Sequence, residues 1–266
     1  MLRLSRTALF FSQALLGLLL LGGVAFAQSL PTIDQLSKRT YGSGTLALER
    51  TLSENTAFTR YLVRYPSDGL QMYGFMDVPV GKGPFPVVIV IHGHVNPATY
   101  RLLAYTTRYA DDLARAGFIT IHPNLRGHGL SQGQPEPLFR IAYATEILDL
   151  AAMVRKQAAK PGPLQKASGK IGVLGHSMGG GITLRVITVD PKIQAAVLYA
   201  AMSGDERKNA ERIYYVFSSR TRGKAEMTYT AAQLQPVSPI NYLSRIQAAV
   251  SIHHGTADEQ VPYAWS

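Results

Sequence analysis

Ser177 is the residue of this chain best placed for covalent chemistry. It lies in Gly175-His176-Ser177-Met178-Gly179, a G-x-S-x-G pattern, with the apolar run Ile171–Leu174 before it and the helical-period run ITLRVITV after it. A strand that turns sharply into a helix holds its turn residue in a strained backbone conformation, so the neighbours two positions away must be almost free of side chain. The serine hydroxyl then projects above the sheet edge. It also stands at a helix N-terminus, where unpaired N–H groups can stabilise a developing oxyanion. The five residues alone also fit a structural Gly-rich turn. The strand before them and the helix after them favour a nucleophile elbow.

A serine needs a proton acceptor. The chain has seven histidines, His92, His94, His122, His128, His176, His253 and His254. It has no cysteine, which excludes disulfides, thiolate catalysis and Cys-ligated metals. The spacings His92-x-His94 and His253-His254 invite a metal reading, but three or four convergent ligands with recognisable spacing are not present. No metal and no cofactor is expected.

The elements that must position Ser177 follow from periodicity. Val87–Ile91 is a continuous β-branched run, the pattern of a strand buried on both faces of a parallel sheet. It ends in His92-Gly93-His94. Helical period over Tyr100–Ala116 leads to a buried strand at Phe118–His122. Ile141–Gln157 reads as a long helix, Met178–Val189 as the helix after the elbow, and Ala195–Ala200 and Ala248–His253 as further strands. Ahead of these, Ala57–Tyr65 and Leu70–Val78 form a hairpin around the turn Pro66-Ser67-Asp68-Gly69. Met202–Val237 is a polar, partly helical insertion, and Ser238–Ile246 a short helix. Strands alternating with helices predict an α/β fold with a doubly wound, mostly parallel sheet.

The composition agrees. With 266 residues, 46% hydrophobic and 17% charged, the chain is globular rather than disordered. The net charge of +10 is spread along the chain without a basic block, so it describes a solvated surface and gives no reason to expect nucleic acid as a partner. Residues 1–27 read as a signal peptide: Arg3 and Arg6 supply the positive region, Leu9–Phe26 the apolar one, and Ala25-Phe26-Ala27 a small-x-small cleavage site before Gln28. The product would be secreted or periplasmic, with no stable membrane span after cleavage. The apolar run is almost long enough to span a membrane, so an uncleaved anchor is the alternative. Residues 28–56 then form an N-terminal extension of low structural content, and 57–266 the single domain, with the insertion at 202–237.

Four motifs, taken in order, resemble the α/β-hydrolase superfamily: VVIVIHGH at 87–94, NLRGHGLS at 124–131, GHSMGG at 175–180 and HHGTADEQVP at 253–262. The last of these, SPINYLSRIQAAV at 238–250 and the hairpin DGLQMYGFMDVP at 68–79 are similar to the prolyl oligopeptidase and dienelactone hydrolase branch. The resemblance implies Ser177 as nucleophile, oxyanion donors in the backbone N–H groups of Met178 and His94, and Asp258 as the acid that orients an imidazole. Asp205 is the reserve acid. Asp258 also fits a turn-forming aspartate, and the His94 side chain either enters the pocket or caps its loop.

The resemblance places the base a few tens of residues after the acid. All seven histidines precede Asp258, and none occupies that position. Either the sequence is a fragment that lacks its last strand, the base histidine and a final helix, or the base is lost or displaced. A fragment is the expectation, and with it an inactive chain. In the insertion, Arg207, Lys208, Arg212, Arg220, Arg222 and Lys224 with Tyr214, Tyr215 and Phe217 form either a basic, aromatic wall or a solvent-facing amphipathic helix. The implied activity is that of a serine hydrolase on a small ester or peptide substrate. The alternative is a non-catalytic relative that binds a ligand with an inert serine.

Overall fold

In the computed structural model residues 29–266 are described, apart from Glu136. The expected signal peptide at 1–27 and its cleavage site lie outside the described residues. The strands are β1 (Ala47–Glu54), β2 (Phe58–Ser67), β3 (Leu70–Pro79), β4 (Phe85–Ile91), β5 (Ile119–Pro123), β6 (Ala167–His176), β7 (Ala195–Tyr199) and β8 (Ala249–His253). Among the described residues they form one open sheet in the order β1-β2-β3-β5-β4-β6-β7-β8. From β5 to β8 the pairing is parallel, as the unbroken apolar runs require. β1 to β3 are an antiparallel arm joined to β5 through β3. The sheet is the doubly wound, mostly parallel one expected.

The principal helices are α1 (Ile33–Lys38), α2 (Thr107–Arg115), α3 (Ile141–Gln157), α4 (Met178–Val189), α5 (Glu206–Glu211) and α6 (Ala231–Leu234). α3 buries residues around most of its circumference, among them Ile147, Leu148, Leu150, Met153 and Val154, because it packs against both the sheet and α4. None of the helices among the described residues is long and apolar enough to cross a membrane.

Two expectations are corrected here. The segment after residue 28 is not low in structure. Ile33, Leu36 and Leu46 are buried in the main core, and β1 pairs with β2. Asp149 of α3 fastens this segment, accepting from the Gly42 N–H at 2.9 Å and from the Ser67 hydroxyl at 2.7 Å. Gly42 has φ 79°, and a Cβ there would meet the Ala152 Cβ at 2.8 Å, so only glycine brings the chain this close to α3. The second correction concerns Tyr100–Ala116. Only Thr107–Arg115 is α-helical, and Tyr105 just before it has φ 65° in the left-handed region.

A candidate active site above the nucleophile elbow

β6 ends at His176 and α4 begins at Met178, which leaves Ser177 alone on the turn with φ 54° and ψ −115°. That conformation is costly for a residue with a Cβ and persists because the surroundings fix it. The Ser177 N–H donates to the Tyr199 carbonyl at 2.9 Å, and the Ser177 carbonyl accepts from Gly180 and Met202 at 3.0 Å each. The glycines are required on steric grounds. A Cβ on Gly175 would lie 2.1 Å from the Gly179 carbonyl oxygen, and one on Gly179 would lie 2.3 Å from that of Ile91.

The elbow opens into a cavity of about 670 Å³ that Ser177, Met178, His94 and Asp258 all line. Its far wall comes from the insertion, through Ile213, Val216 and Phe217 of the π-helical turn Arg212–Phe217 and through Arg222. Apolar side chains, Leu138 and Met202 among them, make much of the remainder. Polar and charged side chains, Arg140, Glu226 and Asp258 among them, share the lining with these apolar ones, so the cavity offers both apolar surface and polar anchors to a small molecule.

Of the basic residues in the insertion, Arg222 reaches the cavity, and it donates to the His94 Nε2 at 2.8 Å. The His94 side chain therefore enters the pocket rather than only capping its loop. Arg207 and Arg212 are bound to backbone carbonyls, of Tyr229 and of Glu259 and Gln260. Among the six basic residues of the insertion, Arg222 lines the cavity, beside His94.

Asp258 is held by its own loop. Its Oδ1 accepts from the Gln260 and Val261 N–H groups at 2.8 and 2.9 Å. The Val261 N–H above all holds this carboxyl below its ordinary pKa. Its Oδ2 lies 3.3 Å from the Nε2 of His254, whose buried ring also approaches the Val261 carbonyl at 3.0 Å and the Ser266 hydroxyl at 2.5 Å. The pairing of the acid with a histidine four residues earlier was missed in the sequence, where His254 reads as the end of a strand. Asp205, the reserve acid, caps α5 by accepting from the Arg207 N–H at 2.8 Å and does not line the cavity.

The other histidines are also engaged. His92 sits at Gly93 with its Nδ1 2.7 Å from that residue's carbonyl, and His122 contacts the Thr106 hydroxyl at 2.5 Å. Burial lowers the first to a pKa of about 3 and the second to about 4, so both are neutral structural rings. His128 is tied to the carbonyls of Arg126 and Val95, and His253 to the Ser251 hydroxyl. His176 meets the Tyr105 hydroxyl. Among the described residues, no histidine hydrogen-bonds the Ser177 hydroxyl.

Beneath the insertion lies a buried charge network that sequence reasoning did not find. Arg185 of α4 is 1% exposed, pairs with Glu206, and donates to the carbonyls of Val237 at 2.6 Å and Phe139 at 3.4 Å. Glu206 also accepts from Arg140 at 2.5 Å, and Arg140 lies 3.7 Å from Glu226. The Phe139 N–H donates to Glu226 at 2.6 Å. Phe139 and Arg140 both have positive φ, and the network thereby holds Arg140 in the cavity wall. Four charges scattered over 86 positions carry no local sequence pattern.

Comparison with known proteins agrees with this geometry. Among solved structures, the chain is similar to an esterase of Pyrococcus furiosus, with TM-score 0.59 and 18% identity over 84% of this chain and 82% of that one. It is similar to an acylaminoacyl peptidase of Pyrococcus horikoshii, with TM-score 0.61 and 19% identity over 79% of this chain and 34% of that one. It also resembles acetyl xylan esterase 1 of a Thermoanaerobacterium species, at 0.56 and 14% over 84% and 86%. These likenesses establish the fold. A curated relative, the 2,6-dihydropseudooxynicotine hydrolase of Paenarthrobacter nicotinovorans, is 25% identical over 72% of this chain, and the chain spans about half of that relative's length, 49%. The model of the serine aminopeptidase family S33 matches residues 83–261, from the strand before His92 through the elbow to the Asp258 loop. A serine held at a strained strand-to-helix turn, on a parallel α/β sheet and within that match, makes this chain a member of the serine aminopeptidase S33 family of α/β-hydrolases.

Proposed function

We propose that this protein is an exported serine hydrolase that cleaves carboxylic esters or short peptides through an acyl-enzyme on Ser177. The observation that carries the reading is the Ser177 backbone, strained at φ 54° and ψ −115° in the wall of a cavity lined by apolar and polar side chains. Strain of this kind is retained where a function needs it. The Ser177 oxygen attacks the substrate carbonyl carbon. The negative charge that develops on the carbonyl oxygen is held by the backbone N–H groups of Met178 and His94, and the leaving alcohol or amine departs with a proton. Water then hydrolyses the acyl-enzyme. The proton lost by Ser177 is the one with which the leaving group departs, and Asp258 is the carboxylate placed to orient an imidazole base. The basic residues are dispersed, which leaves nucleic acid without a binding stripe, and the chemistry asks for no metal or cofactor.

Among the described residues no imidazole hydrogen-bonds the Ser177 hydroxyl, and from this we infer a weakly activated serine and slow turnover. The same observation favours one competing reading, a non-catalytic binding protein with an inert serine. A fluorophosphonate probe separates the two. Labelling at Ser177 that is abolished by Ser177→Ala, together with slow release of p-nitrophenol from a short-chain ester, supports the hydrolase. Absence of both over hours at millimolar probe concentrations refutes it.

A further inference from the structure

The imidazole of His176 stands in the cavity wall immediately before the nucleophile. Among the described residues its ring makes one hydrogen bond, from Nδ1 to the Tyr105 hydroxyl at 2.7 Å. Among the described residues its Nε2 has no hydrogen-bond partner, and the half-buried ring leaves that atom open to the cavity. Tyr105 reaches this position at a cost. It is a non-glycine residue at φ 65°, and its hydroxyl passes over Gly93, where a Cβ would lie 2.8 Å from the phenol oxygen, 3.2 Å from His176 Nδ1 and 3.2 Å from the Ser177 Cβ. The tyrosine, the imidazole and the nucleophile thus converge on one point that only glycine at position 93 leaves open.

The direction of the Tyr105–His176 bond follows from its groups. Burial raises the Tyr105 phenol above its ordinary pKa, so it keeps its proton. Burial lowers His176, against the opposing field of Asp258, so the ring is neutral at pH 7. A neutral phenol beside a neutral imidazole donates O–H to the ring lone pair, which puts the remaining ring proton on Nε2.

We propose that Tyr105 is a positioning residue that locks His176 in its Nε2–H tautomer, and that this N–H binds a hydrogen-bond acceptor on the substrate next to the scissile carbonyl. The inference rests on the proposed hydrolase reading and adds a substrate class to it: acyl groups that carry a second carbonyl, as in an N-acylamino acid ester or a peptide, over plain alkanoyl esters. A fixed donor disfavours the analogue that leaves it unpaired.

The test compares p-nitrophenyl esters of N-acetylglycine and pentanoic acid, which have chains of similar length with and without the second carbonyl. The measured quantity is the ratio of their kcat/KM values in the wild-type chain and in Tyr105→Phe, His176→Leu and His176→Gln. The expected ratio falls about 3- to 10-fold in His176→Leu, the worth of one neutral hydrogen bond, and by a smaller factor in Tyr105→Phe, where part of the rings keep the Nε2 proton. It is partly restored in His176→Gln, whose amide still donates. An unchanged ratio in both Phe and Leu variants overturns the proposal.

A second readout needs no turnover. Imidazole ¹⁵N spectra should show the His176 proton on Nε2 in the wild type and a tautomer mixture in Tyr105→Phe. A proton on Nδ1 in the wild type, or identical spectra for the two proteins, overturns the proposal. If neither ester is cleaved and the fluorophosphonate fails to label Ser177, the hydrolase reading falls, and the tautomer still decides the role of Tyr105.

Discussion

Glu206→Gln is expected to destabilise the protein more than Arg185→Met, although the two residues share one ion pair. Arg140, Arg185, Glu206 and Glu226 are all buried and sum to zero charge. Neutralising Glu206 leaves two buried guanidinium groups facing Glu226, which lies 3.7 Å from Arg140. Arg185, already pushed below its ordinary pKa by burial, then keeps neutral acceptors alone, the Val237 and Phe139 carbonyls and the glutamine amide oxygen. Breaking a buried pair by removing one partner costs about 3–5 kcal/mol. In Arg185→Met the surviving Glu206 still has Arg140 at 2.5 Å and the Asn209 amide at 3.1 Å. The loss is then mainly that of two carbonyls without a donor, about 2–3 kcal/mol. At roughly 2–4 °C per kcal/mol for a domain of this size, the glutamine variant melts about 6–20 °C below wild type. Urea unfolding of both single variants and of the double variant measures the coupling directly. The double variant should be more stable than the sum of the singles implies by at least about 1.5 kcal/mol. Equal single costs, or additivity within about 0.5 kcal/mol, would refute this account of the network.

Further outcomes follow from other parts of the molecule. His92 and His122 are held near pKa 3 and 4 by burial, below the ordinary value of 6.5, so the unfolded chain binds more protons than the folded one in acid. Their contribution is intact above pH 6.5 and falls as the pH drops toward 4, by up to about 1.4 kcal/mol per pH unit for each ring. The urea midpoint should decline between pH 6.5 and 5, and a flat midpoint there argues against neutral buried rings. All five residues of β8 are exposed, Val250 and Ile252 to 40% and 50%, so this edge should promote association. Ile252→Lys should shift the protein toward monomer in concentration-dependent size-exclusion runs, and an unchanged elution profile would argue against the edge as the cause.

The elements with one strong period were legible in the sequence. α3 and α4 have the boundaries that the sequence suggested, and the apolar runs at Val87, Ile171 and Ala195 lie in parallel strands as their β-branched or unbroken apolar character requires. The elbow was legible because its glycines are dictated sterically by backbone atoms only two to four residues away or on the adjacent strand. What escaped depends on contacts between distant positions. Leu46 and β1 are ordered by Asp149 and Gln157 of α3, more than a hundred residues later. Tyr105 sits in a stretch with good helical period, yet its hydroxyl is drawn to His176, 71 residues away, and its backbone leaves the helix to get there. Asp258 looked the same in sequence whether it was to orient a base or close a turn. In the structure its two oxygens divide between backbone N–H groups and His254.

The order of strands also bears on how the site comes into being during synthesis. β4 is central, with β5 on one side and β6 on the other, and the sheet grows outward from it as later segments are made. The elbow is complete in sequence once α4 has emerged, but Met202 and the Tyr199 carbonyl that fix Ser177 come from the next unit, and the Asp258 loop follows β8, the outermost strand. The cavity thus depends on segments made after the elbow, through pairings of large sequence separation that a growing chain forms slowly. Until β7 and Met202 are in place, the Ser177 N–H lacks its partner and the Ser177 carbonyl keeps only the N–H groups of Gly180 and Gly181, so the strained turn is held from one side alone while the chain is still being folded.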